Sequence, residues 1–135
     1  MTDGSDAIGR ILKESRTIAV VGASDNPDRQ SFGVAQYLKD AGYRVIPVNP
    51  KLNGLFGEKS YPDLQSVPGP VDVVDIFRHP DAVPAIVEQA IGKKAKVVWM
   101  QPGAEHAGAA ERARAAGIEV VSGACMKREH MKRNP

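Results

Sequence analysis

Three cationic side chains and a short glycine-serine loop are the residues of this chain with chemistry to offer. The loop, Gly22-Ala23-Ser24, lies within the stretch Thr17 to Gly33, TIAVVGASDNPDRQSFG. Gly22 lets the backbone turn tightly and lets a ligand come close to it. Ser24 supplies a hydroxyl, Asn26-Pro27 is a turn signal, and Arg29 carries a planar fork of donors suited to phosphate oxygens. Ser31 is placed to cap a following helix that starts near Phe32, and the N-terminus of such a helix attracts anions. The other two cations come later, Lys51 after Asn49-Pro50 and Arg78 after Phe77. Each has a plainer reading as a solvated surface residue, and for Lys51 the two readings weigh equally. Phe77 could cover an adenine or a pantetheine arm, although core packing is the commoner use of a phenylalanine.

The elements that must position these residues follow from hydrophobic periodicity. Ile18-Ala19-Val20-Val21 is apolar on both faces, as a central parallel strand requires. A short helix through about Lys13 precedes it, with Ser5 as its cap. A helix from about Phe32 to Ala41 follows, with Val34, Tyr37, Leu38 and Ala41 at i, i+3, i+4, i+7 spacing. Further strands are expected at Tyr43–Val48, Val71–Phe77, Ala95–Met100 and Ile118–Val121. Helices are expected over Asp81–Ile91 and Glu105–Ala116. Lys51–Tyr61 reads as a Gly-rich connection with little regular structure, Leu64 as a single helical turn, and residues 122–135 as a basic tail. Asp72 and Asp75 interrupt the third strand and suggest strand ends near solvent.

Strands alternating with helices through 135 residues, without a composition break, predict one domain over residues 1–135. The expected fold class is α/β: a Rossmann-like, doubly wound parallel five-stranded sheet, order 3-2-1-4-5, with helices on both faces. Ligands in such sheets bind beyond the carboxyl ends of the strands, at the switch point between the first and fourth. That rule brings together Gly22–Ser31, Asn49–Lys51, Phe77–Pro80 and Gln101–Gly103. Gln101 and Gly103 would close the site from its far side.

Composition removes several classes. A formal charge of +2 demands neither nucleic acid nor a membrane as partner, and one cysteine excludes an internal disulfide framework. No apolar run approaches the ~18–20 residues of a membrane span. The N-terminus lacks the pattern of a secretory signal, so a cytoplasmic location is expected. His79, His106 and His130 show no metal-ligand spacing, and no serine sits on a G-x-S-x-G elbow. Catalytic and metal residues are therefore not assigned, and non-catalytic binding is favoured over enzymatic activity. Cys125 is the one candidate nucleophile; it follows the fifth strand, with Lys127 and Arg128 nearby. An NAD(P)-binding oxidoreductase or redox sensor is the alternative. Against it, serine stands at position 24 where G-x-G-x-x-G needs glycine, and Asn49-Pro50-Lys51 stands where an NAD site wants an acid.

The segments VVGASDNPDRQSFGV, GYRVIPVNPK, VDVVDIFR and VVWMQPG, in that order, resemble the small stand-alone CoA-binding domain family. That family is similar to the nucleotide-binding half of the succinyl-CoA synthetase alpha subunit. The resemblance runs from about Arg16 to Lys132 and implies a Rossmann-like fold that holds coenzyme A or an acyl-CoA. It implies that Gly22, Ala23, Ser24, Arg29 and Ser31, with Phe32 beside them, hold phosphates. Asn49, Pro50 and Lys51 would then border the adenosine 3′-phosphate, and Phe77, Arg78, Gln101 and Gly103 the rest of the ligand. A mixed disulfide between Cys125 and the coenzyme thiol is a hypothesis beside the commoner reading of a partly buried, inert cysteine. A regulatory subunit of an acyl-CoA enzyme, with a protein partner or a homo-oligomer, is a second alternative. The family's acidic and basic residues before the cysteine are replaced here by Gly123 and Ala124, while Cys125, Glu129 and His130 are kept.

Overall fold

A computed structural model describes residues 6–134. Five parallel strands form its centre: β1 (Thr17–Val21), β2 (Arg44–Val48), β5 (Val73–Ile76), β6 (Val97–Met100) and β7 (Glu119–Ser122). A small antiparallel hairpin, β3 (Gly54–Leu55) and β4 (Glu58–Lys59), follows β2. The helices are α1 (Ala7–Glu14), α2 (Gln30–Asp40), α3 (Val83–Lys93), α4 (Ala107–Ala115) and α5 (Met126–Arg133). Strand alternation divides the apolar residues into two cores. Ala19, Val21, Val74, Ile76, Val98 and Met100 face α3 and α4, whose buried stripes include Val83, Ile86, Val87, Ala109 and Ala113. Ile18, Val20, Val73, Val97 and Trp99 face α1, α2 and α5. The sheet is thus Rossmann-like and doubly wound, as the periodicity implied.

The strand order is β2-β1-β5-β6-β7. The segment expected as third strand, Val71–Phe77, therefore contributes β5 beside β1 and does not lie outside β2. The outer place is taken by Tyr61, which makes a single parallel bridge to Val48. With that bridge counted as the third strand, the order reads 3-2-1-4-5-6, which contains the expected 3-2-1-4-5, and the switch point falls between β1 and β5. Pro47 fits β2 because its carbonyl faces outward to Tyr61 N–H (3.1 Å). Its missing N–H therefore falls on the side away from β1.

Other boundaries moved for identifiable reasons. Ser5 lies outside the described residues; Asp6 caps α1, its carboxylate accepting from Gly9 N–H (3.1 Å). α2 begins at Gln30, because a turn closed by Arg29 N–H to Asn26 C=O (3.0 Å) ends two residues early. Arg29 takes the N-cap position and Ser31 lies inside the first turn. Leu64 does sit in one turn of 3₁₀ helix, Leu64–Ser66. The Gly-rich connection contains the β3–β4 hairpin, and most of the basic tail is α5. Asp75 is not near solvent: it is completely buried at the centre of the sheet.

Candidate ligand-binding site

A cleft of about 740 Å³ opens over the carboxyl ends of β1, β2, β5 and β6. Backbone geometry shapes its floor. Gly22 leaves β1 with φ +91°, and a Cβ there would stand 2.3 Å from the carbonyl oxygen of Phe77. Only glycine lets the two central strands end this close together. Gly22 N–H also bonds Val48 C=O (3.0 Å), which draws the end of β2 in.

The loop side chains are partly engaged with one another. Asn49 Nδ2 donates to Ala23 C=O (2.7 Å) while its Oδ1 accepts from Lys51 N–H (2.8 Å). Asn49 is therefore a strut between two loops. Ser24 Oγ accepts from Asn26 N–H (3.0 Å) and Asn26 Oδ1 from Asp28 N–H (2.9 Å), a pair of local turns that carry the chain to α2. Gly103 N–H donates to Glu105 Oε1 (2.7 Å). Gln101 is 1% exposed; its Oε1 accepts from Met126 N–H (3.1 Å), and its Nε2 has no partner.

The electrostatics are one-sided. Arg29, Lys51 and Arg78 line the cleft with His79, and no carboxylate among the described residues does. None of the three cations belongs to an ion pair among the described residues. The first turn of α2 has no acidic residue and no side-chain cap, and its Gln30 and Ser31 reach the cleft. Uncapped N–H groups at a helix start, with three cations from three loops, make a seat for a multiply charged anion.

The structure brings together twelve of the thirteen residues singled out in the sequence: Gly22, Ala23, Ser24, Arg29, Ser31, Asn49, Pro50, Lys51, Phe77, Arg78, Gln101 and Gly103 line one cleft. Phe32 does not; its ring turns away and packs on Phe56, 5.1 Å between centroids. Cys125 does not line it either, being buried among Trp99 and Met126 at the start of α5. Gln30, His79 and Pro102 also line the cleft, within the four expected loops but not singled out there, while Val48 and Ala104 lie one residue outside those loops. Each adjoins a residue that was chosen, so contiguity within a loop was the signal available.

A family model described as CoA binding domain matches residues 16–131. The chain belongs to the CoA-binding domain family. It is similar to the uncharacterized protein YneT of Bacillus subtilis (strain 168), 38% identical over 123 residues that make up 91% of each chain. A hypothetical protein from Pyrococcus horikoshii OT3 has a similar structure, with a TM-score of 0.92 and 40% identity, covering 100% of this chain and 99% of that one. Similarity extends to the acetate–CoA ligase (ADP-forming) of Methanocaldococcus jannaschii, 29% identical over 91 residues. That match takes in 67% of this chain but 13% of the ligase. This member of the CoA-binding domain family has no helix, among its described residues, long and apolar enough to cross a membrane.

Proposed function

We propose that the cleft binds coenzyme A or an acyl-CoA, and that the domain is a binding module with no reaction of its own. The observation that carries this reading is the meeting of Arg29, Lys51 and Arg78, each without a carboxylate partner, over the uncapped start of α2. Coenzyme A presents a diphosphate and a separate 3′-phosphate, which need cations at more than one place. Arg29 and the first turn of α2 take the diphosphate. Lys51, at the end of β2, takes the 3′-phosphate. Phe77, Gln101 and Gly103 border the uncharged arm, and Arg78 reaches a phosphate from the end of β5. Membership of the CoA-binding domain family supports the ligand class. The ligase activity in that relative's name is not carried over, because the match takes in so little of its length.

Titration calorimetry with coenzyme A, dephospho-CoA, NADH and NADPH tests the reading. Saturable binding is expected for coenzyme A, weaker for dephospho-CoA, and weaker still for both nicotinamide nucleotides. A preference for either nicotinamide nucleotide would overturn it.

A further inference from the structure

Among the described residues, three buried side-chain atoms lack a hydrogen-bond partner: both carboxyl oxygens of Asp75 and Nε2 of Gln101. Topology makes these two residues neighbours. Asp75 lies opposite Trp99 in the β5–β6 register. Gln101 follows two residues after Trp99, and its N–H still bonds Ile76 C=O (3.3 Å), so the ladder continues to it. Alternation sends both side chains to the α1, α2 and α5 side of the sheet. Val73 and Trp99 belong to that core, while Val74, Ile76 and Met100 belong to the other. Gln101 confirms its side by accepting from Met126 of α5. Positions offset by two residues on neighbouring parallel strands stand about 8 Å apart at Cα, from a strand spacing of about 4.8 Å and a rise of about 3.3 Å per residue, a gap that two polar side chains can close with one water between them.

The two groups are chemically complementary. Burial pushes the Asp75 carboxyl well above the usual carboxylate range. The neutral acid offers one O–H donor and an accepting carbonyl, and the Gln101 amide nitrogen offers a donor that lacks an acceptor. Packing alone gives no reason for an acid here. Val20 and Trp99 flank it on β1 and β6, and an aliphatic side chain of the same size would serve the core better.

We propose that Asp75 is a positioning residue for the cleft: through one bridging water its carboxyl holds the Gln101 side-chain amide nitrogen and so fixes which edge of that amide faces a bound ligand and which faces α5. Gln101 is the hinge of the arrangement, since it lines the cleft and holds the first N–H of α5. Asp75 itself touches no ligand. The affinity arm of the test rests on the reading of the cleft as a coenzyme A site; the second arm does not.

Asp75→Val removes the buried polar group and adds only about a methylene's volume. If Asp75 were only structural, this variant would be at least as stable as the parent and would bind coenzyme A equally well. The proposal expects undiminished stability with affinity about tenfold lower, shrinking to less than about twofold when the same change is made in Gln101→Met. Unchanged affinity, or the same tenfold loss in the Gln101→Met background, overturns it. Should Asp75→Val fail to fold, the isosteric Asp75→Asn carries the test by NMR without ligand. The Gln101 side-chain amide resonances, identified by their absence from Gln101→Met, are expected to move. Identical resonances in Asp75→Asn and the parent overturn the proposal. A parent that binds no coenzyme A would sink the proposed function and leave this second arm intact.

Discussion

Where the strands begin, Asp72 accepts from the backbone N–H groups of Arg16 and Thr17 at 2.8 and 2.9 Å and lies 3.5 Å from Lys96. At the same edge Arg10 pairs with Glu119 at the start of β7. Where the strands end, Arg29, Lys51 and Arg78 surround a cleft that no carboxylate among the described residues lines. The first edge has its charges neutralised by the chain itself. The second keeps like charges together, which costs some stability through repulsion and leaves the balance to a ligand. The difference separates groups that hold the fold from groups held ready by it. Substitutions at the two edges should therefore fall into two classes, one read in unfolding and the other in binding.

The largest effect is expected where the cleft depends on the fold itself. Gly22→Ala forces a Cβ against the Phe77 carbonyl at φ +91°, so both properties should fail together. We expect a loss of roughly 3 kcal/mol in urea unfolding and no measurable binding of coenzyme A. Arg29→Ala comes next and should separate the two properties. It removes charge-assisted bonds to phosphate and should weaken coenzyme A by about 1–3 kcal/mol in calorimetry, while the unfolding midpoint of the free protein holds. A shift of that midpoint comparable to a core mutation would place Arg29 with the structural edge instead.

Most of this division could be read from residue types. The apolar runs at Ile18–Val21 and Val97–Met100 marked buried strands, and the four loops expected at the strand ends hold every cleft residue but Val48 and Ala104. What escaped was set by tertiary contact. Tyr61 completes the strand order through one bridge to Val48, and no local pattern announces a one-residue strand. The hairpin turns at Phe56 and Gly57, both with positive φ; Phe56 in that conformation breaks the residue preferences on which turn prediction rests. Phe32 looked like a loop neighbour, yet its ring packs on that same Phe56. α5 carries almost no apolar stripe. It is pinned instead by buried Met126, by Tyr37 Oη with His130 Nδ1 (2.8 Å), and by Arg133 with Asp6 (2.6 Å). Asp75 was misplaced because an acid in a strand is ordinarily near water, and here tertiary structure overrides that tendency.

Asp72 and Asp75 sharpen the comparison within one segment of chain. Burial pulls the Asp72 carboxyl upward, but the N–H groups of Thr17 and Arg16, with Lys96, outweigh it and hold it below 3.8. Its contribution is full above that ordinary value and is lost as pH falls through the lowered one. Asp72→Ala should cost about 1–2 kcal/mol at neutral pH, and parent and variant should converge in acid. Asp75 has the opposite sign. Its carboxyl is raised by burial, so the unfolded chain ionises first, and the resulting cost to the fold appears as pH rises above 3.8. Asp75→Asn should therefore gain stability relative to the parent from acid to neutral pH. Parallel rather than opposed trends in urea unfolding would show that the two acids share one environment.

The smallest effects concern two exposed lysines, one at each edge. Lys96 reaches Asp72 from an exposed position, and such pairs contribute little in water. Lys96→Ala should leave coenzyme A affinity unchanged and move stability only slightly. Lys51 lines the cleft just past the end of β2, with no ion-pair partner among the described residues. Lys51→Ala should weaken coenzyme A by about three- to tenfold and leave dephospho-CoA within about twofold, because only the former carries the 3′-phosphate. The ratio of the two affinities isolates that contact from any general loss of positive charge, which would weaken both ligands alike. A ratio equal to the parent's would move Lys51 out of the binding class and leave Arg29 and Arg78 to hold every phosphate.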